Sequence, residues 1–282
     1  MKLGKLVLLT CPLFTLVSGL GAEGQDVDRQ KTEVIAKPDT DRPVVAAIKK
    51  LGGFVKLDLD HPDQPVIDVY LSDGYFTSTP TPTDADLVIL KGLTQLQSLS
   101  LNSTGITDTG LGYLSGLSQL RVLKLGSTGV TGAGLEHLKG LTQLRTLDLG
   151  GTNITDTGLM HLKGLSRLRW LGLDGTEVTD AGLEHIEGLT QLRVLTLRAT
   201  KVNGVGLKYV KGHTQLRTLF LCSDEVTDAG LEHLKGLTQL RTLDLRDCER
   251  VSDAGLAHLK GLTQLHTLFL GSRDGGVTDA GL

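Results

Sequence analysis

The hydrophobic pattern of this chain repeats. Shifted by 24 residues, LKGLTQLQSLSLNSTGITDTGLGY from Leu90 falls on LSGLSQLRVLKLGSTGVTGAGLEH from Leu114. Further units start at Leu138, Leu162, Ile186, Val210 and Leu234, and one more at Leu259 after a single inserted residue. That makes eight units, the last incomplete. An earlier degenerate unit is visible in VIDVYL (66–71) and TDADLVIL (83–90). In each unit Leu alternates with other residues, as at Leu99/Leu101, Leu147/Leu149 and Leu243/Leu245, and this period of two predicts a strand. Ile106, Val130, Ile154, Val178, Val202 and Val226 then return to the core, five residues past the strand. The next column holds Thr107, Thr131, Thr155, Thr179, Asn203, Thr227, Ser252 and Thr278, all suited to cap a helix N-terminus. Asp108, Asp156, Asp180, Asp228, Asp253 and Asp279 follow, where the helix dipole favours a carboxylate. Leu111 and Leu114 face inward at helical spacing.

Two glycine columns complete the unit. Gly116, Gly140, Gly164, Gly188, Gly212, Gly236 and Gly261 predict helix ends in the left-handed conformation. Gly110, Gly134, Gly158, Gly182, Gly206, Gly230, Gly255 and Gly281 sit in the first helical turn, where a Gly costs up to ~1 kcal/mol against Ala. So regular a cost predicts a neighbouring segment too close to admit a Cβ. A strand, a turn and a two-turn helix cannot bury a Leu face alone, but stacked copies can. The expected fold is an α/β, right-handed solenoid with a concave parallel sheet and short convex helices, curved because helices are thicker than strands.

These columns resemble the leucine-rich repeat family, whose core is L-x-x-L-x-L-x-x-N/C-x-L. LTQLRTLDLGGTNI (141–154) carries it, with Thr152 where Asn or Cys is usual. VTDAGLEHIEGL (178–189) is similar to the bacterial internalin-like repeats and to the cysteine-containing repeats of F-box proteins. The resemblance covers roughly 66–282. It implies macromolecular recognition on the concave face, without catalysis. Thr104, Thr128, Thr152, Thr176 and Thr200 would each have to satisfy the turn backbone with one hydroxyl.

The two ends of the chain read differently. Lys2, Lys5, the apolar run Leu6–Leu20 and the small residues up to Ala22 predict a secretory signal peptide over 1–22. Residues 23–43 form a polar leader, 44–65 an N-terminal cap with a helix near 44–51 and a strand at 54–60, and 66–282 the repeats. The expected location is secreted or in the cell envelope, with no membrane span in the mature chain. The last unit stops four residues past Thr278, which predicts either a fragment of a longer array or end-to-end association through an uncapped repeat. SDGYFTSTPTPTD, around Tyr75, is an insertion placed to project.

Charge and chemistry narrow the function. The formal charge is −3, and −5 without Lys2 and Lys5, which offers nucleic acid no overall basic field. No catalytic triad, phosphate loop or metal spacing stands out, so neither enzyme activity nor a cofactor is expected. His137, His161, His185, His233 and His258 share one helical column, but neighbouring helices lie ~8–10 Å apart, too far for one metal ion. Cys222 and Cys248 are expected as free thiols. His213 replaces a core Leu, read as drift. Arg121, Arg145, Arg169, Arg193, Arg217 and Arg241 form a column read as a solvated ridge. On the concave face Trp170, Asp174, Arg198, Phe220, Asp244, Arg246 and Phe269 are the candidate ligand-binding residues, because aromatic and Arg groups anchor interfaces. A protein or other macromolecule is the expected partner, and the alternative is a structural spacer that binds nothing specific.

Overall fold

The repeated L-x-L places one Leu of every unit in the same rung of one sheet. The computed structural model describes residues 43–71, 81–223, 225–271 and 277–278. The signal peptide, nearly all of the leader, the insertion around Tyr75 and the turn after Thr278 lie outside the described residues. Among them ten strands pair in chain order: β1 (Phe54–Leu57), β2 (Val66–Tyr70), β3 (Ser98–Ser100), β4 (Val122–Lys124), β5 (Thr146–Asp148), β6 (Trp170–Gly172), β7 (Val194–Thr196), β8 (Thr218–Phe220), β9 (Thr242–Leu245) and β10 (Thr267–Leu270). Only β1 runs antiparallel, pairing with β2 behind the helix Pro43–Lys50. From β2 on, every pair is parallel with Leu on Leu or Val, as at Leu99↔Leu123 and Leu171↔Leu195. The sheet is open, and it lines the concave side of a leucine-rich repeat solenoid.

Leucines of all the central units are fully buried in one continuous core. Burying each such side chain stabilises by ~1.5–3 kcal/mol. The helices are shorter than two regular turns. Asp108–Leu111 is one α-turn that tightens into a 3₁₀ turn at Gly112–Leu114, and Gly134–Leu138 is 3₁₀ throughout. This also corrects the helix ends. None of Gly116, Gly140, Gly164, Gly188, Gly212, Gly236 and Gly261 has a positive φ. The chain leaves the helix through successive i→i+3 turns instead, with the Leu117 and Leu120 N–H groups donating to Leu114 and Leu117 carbonyls at 2.9 Å each. The left-handed positions fall after the strands, at Ser103, Ser127, Gly151, Gly175 and Ala199, again 24 residues apart. Next to them the Thr column does its predicted work. The hydroxyls of Thr104, Thr128 and Thr176 donate to the carbonyls of Leu101, Leu125 and Leu173 at 2.6, 2.6 and 2.7 Å.

The first-turn aspartates do more than face a helix dipole. Asp108 accepts the backbone N–H of Thr131 at 2.7 Å and its hydroxyl at 2.6 Å, so it clamps the next unit. Asp84, Asp156, Asp228 and Asp253 hold Thr107, Thr179, Ser252 and Thr278 in the same way. Asp180 keeps only the backbone half of the clamp, because Asn203 replaces Thr. The costly glycine column follows directly. A Cβ on Gly110, Gly134, Gly182, Gly206 or Gly255 would run into the clamping carboxylate of the unit before, at 2.6 Å for Gly206 against Asp180. The predicted close neighbour is therefore an Asp side chain.

Candidate binding site on the sheet face

Along each strand, side chains that do not enter the core line the concave face. One column across the rungs reads Ser100, Lys124, Asp148, Gly172, Thr196, Phe220, Asp244 and Phe269. Two residues further along each strand lie Asp174, Arg198, Cys222 and Arg246. Neighbouring rungs stand ~4.8 Å apart, so long side chains lie over short ones. Two expectations of exposure are corrected on this ground. Asp244 is fully buried, and Phe220 is only 8% exposed.

Asp244 is the hub. Arg246 reaches it with two bonds, Nε to Oδ1 at 2.9 Å and Nη2 to Oδ2 at 2.7 Å. Arg198 donates from Nη2 to Oδ2 at 2.9 Å. Burial pushes the Asp244 carboxyl up, but the Arg246 and Arg198 bonds outweigh it and hold it below its ordinary value. Each arginine also lies against an aromatic ring. Arg198 stands 3.8 Å from the Phe220 centroid and Arg246 5.1 Å from that of Phe269, distances at which a cation is attracted to the ring face. Asp174 joins through its backbone contact, accepting the Arg198 N–H at 2.8 Å. Burial raises its carboxyl above the usual range.

Six of the seven candidate residues are thus linked. Trp170 stands apart on β6, half-buried, its ring so close over Gly172 that a Cβ there would lie 2.5 Å from it. Cys222 belongs to the cluster although its type gave no sign of it. Burial pushes its thiol up to about 12, which keeps it a thiol at neutral pH. Cys222 and Cys248 are both free. The clamping role of the Asp column also escaped the sequence reading. Its signal was there: Asp and the Thr it holds are 23 residues apart at Asp84, Asp108 and Asp156.

The remaining candidates carry less chemistry. The His column is half-buried, and among the described residues no group of three or more His, Cys, Asp or Glu is placed to hold a metal ion. His213 is fully buried, with Nδ1 3.1 Å from the Val210 carbonyl and Nε2 3.1 Å from that of Ile186. Burial lowers its pKa. Among the described residues no helix is long and apolar enough to cross a membrane.

Comparison with known proteins agrees with this geometry. Residues 136–280, just over half of the chain, match the family described as "Leucine-rich repeat region", and residues 94–154 match "Leucine rich repeat". The crystal structure of an internalin C2 from Listeria monocytogenes is similar, with 25% identity and a TM-score of 0.59 over 81% of this chain and 92% of that one. An internalin from the same organism shares 20% identity with a TM-score of 0.40, over 86% of this chain and 91% of that one. No curated protein sequence matches the chain.

Proposed function

The chain belongs to the leucine-rich repeat family, and on that premise we propose that it is a non-enzymatic recognition module, exported through its signal peptide, that binds a protein partner on its concave face. The observation that carries this reading is the Arg198–Asp244–Arg246 cluster. Its guanidinium groups are held in place by a buried carboxylate and by two aromatic rings, yet their side chains remain 26% and 37% exposed. Arginines fixed in this way lose little further freedom on binding, which is what an interface anchor needs.

One observation favours a second reading, a structural spacer. The buried Asp244 carboxylate is bonded by both arginines, so the cluster can serve stability alone. Crosslinking and pull-down from the exporting cell, with the whole chain as bait, separates the two. Recognition requires a discrete partner whose recovery falls at least roughly tenfold with Trp170→Ala or Arg246→Ala, at unchanged fold by circular dichroism. A partner set that both substitutions leave intact would exclude the concave face. No partner at all, with Asp244→Ala destabilising the chain, is the outcome expected of a spacer.

A further inference from the structure

The formal charge of −3 conceals a division between the two flanks of the solenoid. All strands from β2 on run the same way, so the loops from helix to strand share one flank and the loops from strand to helix share the other. The eight helix-to-strand loops (91–97, 115–121, 139–145, 163–169, 187–193, 211–217, 235–241 and 260–266) carry thirteen lysines and arginines and a single acid, Glu187. The seven strand-to-helix loops between 101 and 252 carry six acids and four bases, and the first-turn aspartates Asp108, Asp156, Asp180, Asp228 and Asp253 at their ends bring the acids to eleven. On the basic flank, Arg121, Arg145, Arg169, Arg193, Arg217 and Arg241 occupy six successive rungs. Their backbones are laddered, with each N–H from Arg145 to Arg241 donating to the carbonyl of the arginine before it at 2.7–2.8 Å. The row is therefore fixed in spacing, one cation per ~4.8 Å.

Two features separate this row from a solvated ridge of ion pairs. Among the described residues Arg121, Arg145, Arg169, Arg193 and Arg241 have no acidic partner, whereas cations of the opposite flank do, as in Lys201–Glu177 and Arg250–Glu225 at 2.9 Å for the latter. The arginines also repel one another. Alongside desolvation, Arg169, Arg121 and Arg167 all act to lower the pKa of Arg145. An anion laid along the row would relieve that repulsion and release its own counterions.

We propose that the arginine row on the helix-to-strand flank binds a linear polyanionic glycan, a polymer with an acidic group on each sugar unit. The surroundings select this class. Between the cations lie exposed hydroxyl and amide groups, such as Ser118, Gln119, Thr142, Thr190 and Gln191, which suit sugar hydroxyls. The apolar residues of these loops, Leu117, Leu141, Leu165 and Leu189, are buried. The flank therefore lacks the apolar anchor that a protein partner uses, and its loops hold no Phe, Tyr or Trp on which nucleic-acid bases stack.

The test titrates the full chain with polygalacturonate oligomers of increasing length, with neutral dextran, polyglutamate and duplex DNA in parallel. Polygalacturonate is expected to bind, more tightly with each added unit up to the length of the row, and to weaken linearly in log K against log salt. Arg145→Gln, Arg169→Gln and Arg193→Gln combined should lower affinity by roughly a hundredfold and reduce the salt slope by roughly one per arginine. The fold should survive, because these side chains hold nothing in place. Lys201→Gln, on the opposite flank, should bind as wild type. Equal binding by wild type and the triple variant would overturn the proposal, as would equal loss in Lys201→Gln or no binding at low salt. Stronger binding of polyglutamate or duplex DNA than of polygalacturonate at matched charge would overturn the choice of a glycan.

Discussion

Two kinds of interface occur along this solenoid. Most are clamped by a carboxylate, as Asp156 clamps Thr179 at 2.8 and 2.6 Å. At two places the aspartate is a glycine, Gly132 and Gly204, and the Thr it would hold, Thr155 or Thr227, receives no carboxylate. There the backbones close in instead. A Cβ on Gly158 would lie 2.6 Å from the Gly132 Cα, and one on Gly230 2.9 Å from the Gly204 Cα. One glycine column thus serves two purposes. In clamped interfaces it makes room for a carboxylate, and in the others it makes room for another glycine.

The largest effect expected on this comparison comes from Gly158→Ala. The atom in its way belongs to the backbone, so two units must separate, and the loss should be ~2–3 kcal/mol by denaturant titration. A value under 0.5 kcal/mol would show the glycine contact to be loose. Next is Asp156→Ala, which strips the Thr179 N–H and hydroxyl of their partner at a cost of ~1–2 kcal/mol. The sharpest contrast is Thr179→Val against Thr155→Val. The first loses a clamp bond worth ~1 kcal/mol and the second has none to lose, so equal changes would remove the distinction.

The smallest effect is a slope with pH, in the unit that follows the one containing Gly204. Burial lowers the pKa of His213 in the folded chain, so the unfolded chain binds the proton more readily. Stability from the neutral imidazole is present above the unfolded value of about 6.5 and is lost as pH falls through it. His213→Leu should flatten this part of the stability–pH curve. An identical slope in both proteins would show that His213 is not its source. Asp253 acts at lower pH. The Thr278 hydroxyl and N–H hold its carboxyl below its ordinary value, so its clamp is present above the unfolded value and weakens in acid.

The period, the strands and the Thr hydroxyls were legible in the sequence because each rests on local pattern. Helix ends were not. Gly116 and its later equivalents follow the last apolar residue as a left-handed cap would, yet a 3₁₀ exit needs no positive φ, and in this column only Gly92 of the first unit takes one among the described residues. The exposure of Phe220 and Asp244 was misread for a different reason. Alternation along a strand says which face a side chain joins, but not what the adjacent rungs lay over it. Arg246 covers Asp244 from two residues along the same rung and Arg198 from two rungs away, 46 residues earlier in the chain, and only the packed sheet brings Arg198 there.

The clamps all lie on one flank and all point along the stack, which gives the protein a mechanical character. Units pack chiefly on their neighbours, with Arg198 reaching over one rung to Asp244, so a pull applied at the two ends passes through the interfaces largely in series. Tension is then the same at each junction, and yielding begins where a junction holds least. Side-chain bonds reinforce the junctions at Asp84, Asp108, Asp156, Asp228 and Asp253, and at Gly204 the Ser223 hydroxyl donates to the Val202 carbonyl at 3.0 Å, while the junction at Gly132 has no carboxylate clamp and brings two backbones together instead. A stretched molecule should part first at the Gly132 junction and leave its clamped stretches whole.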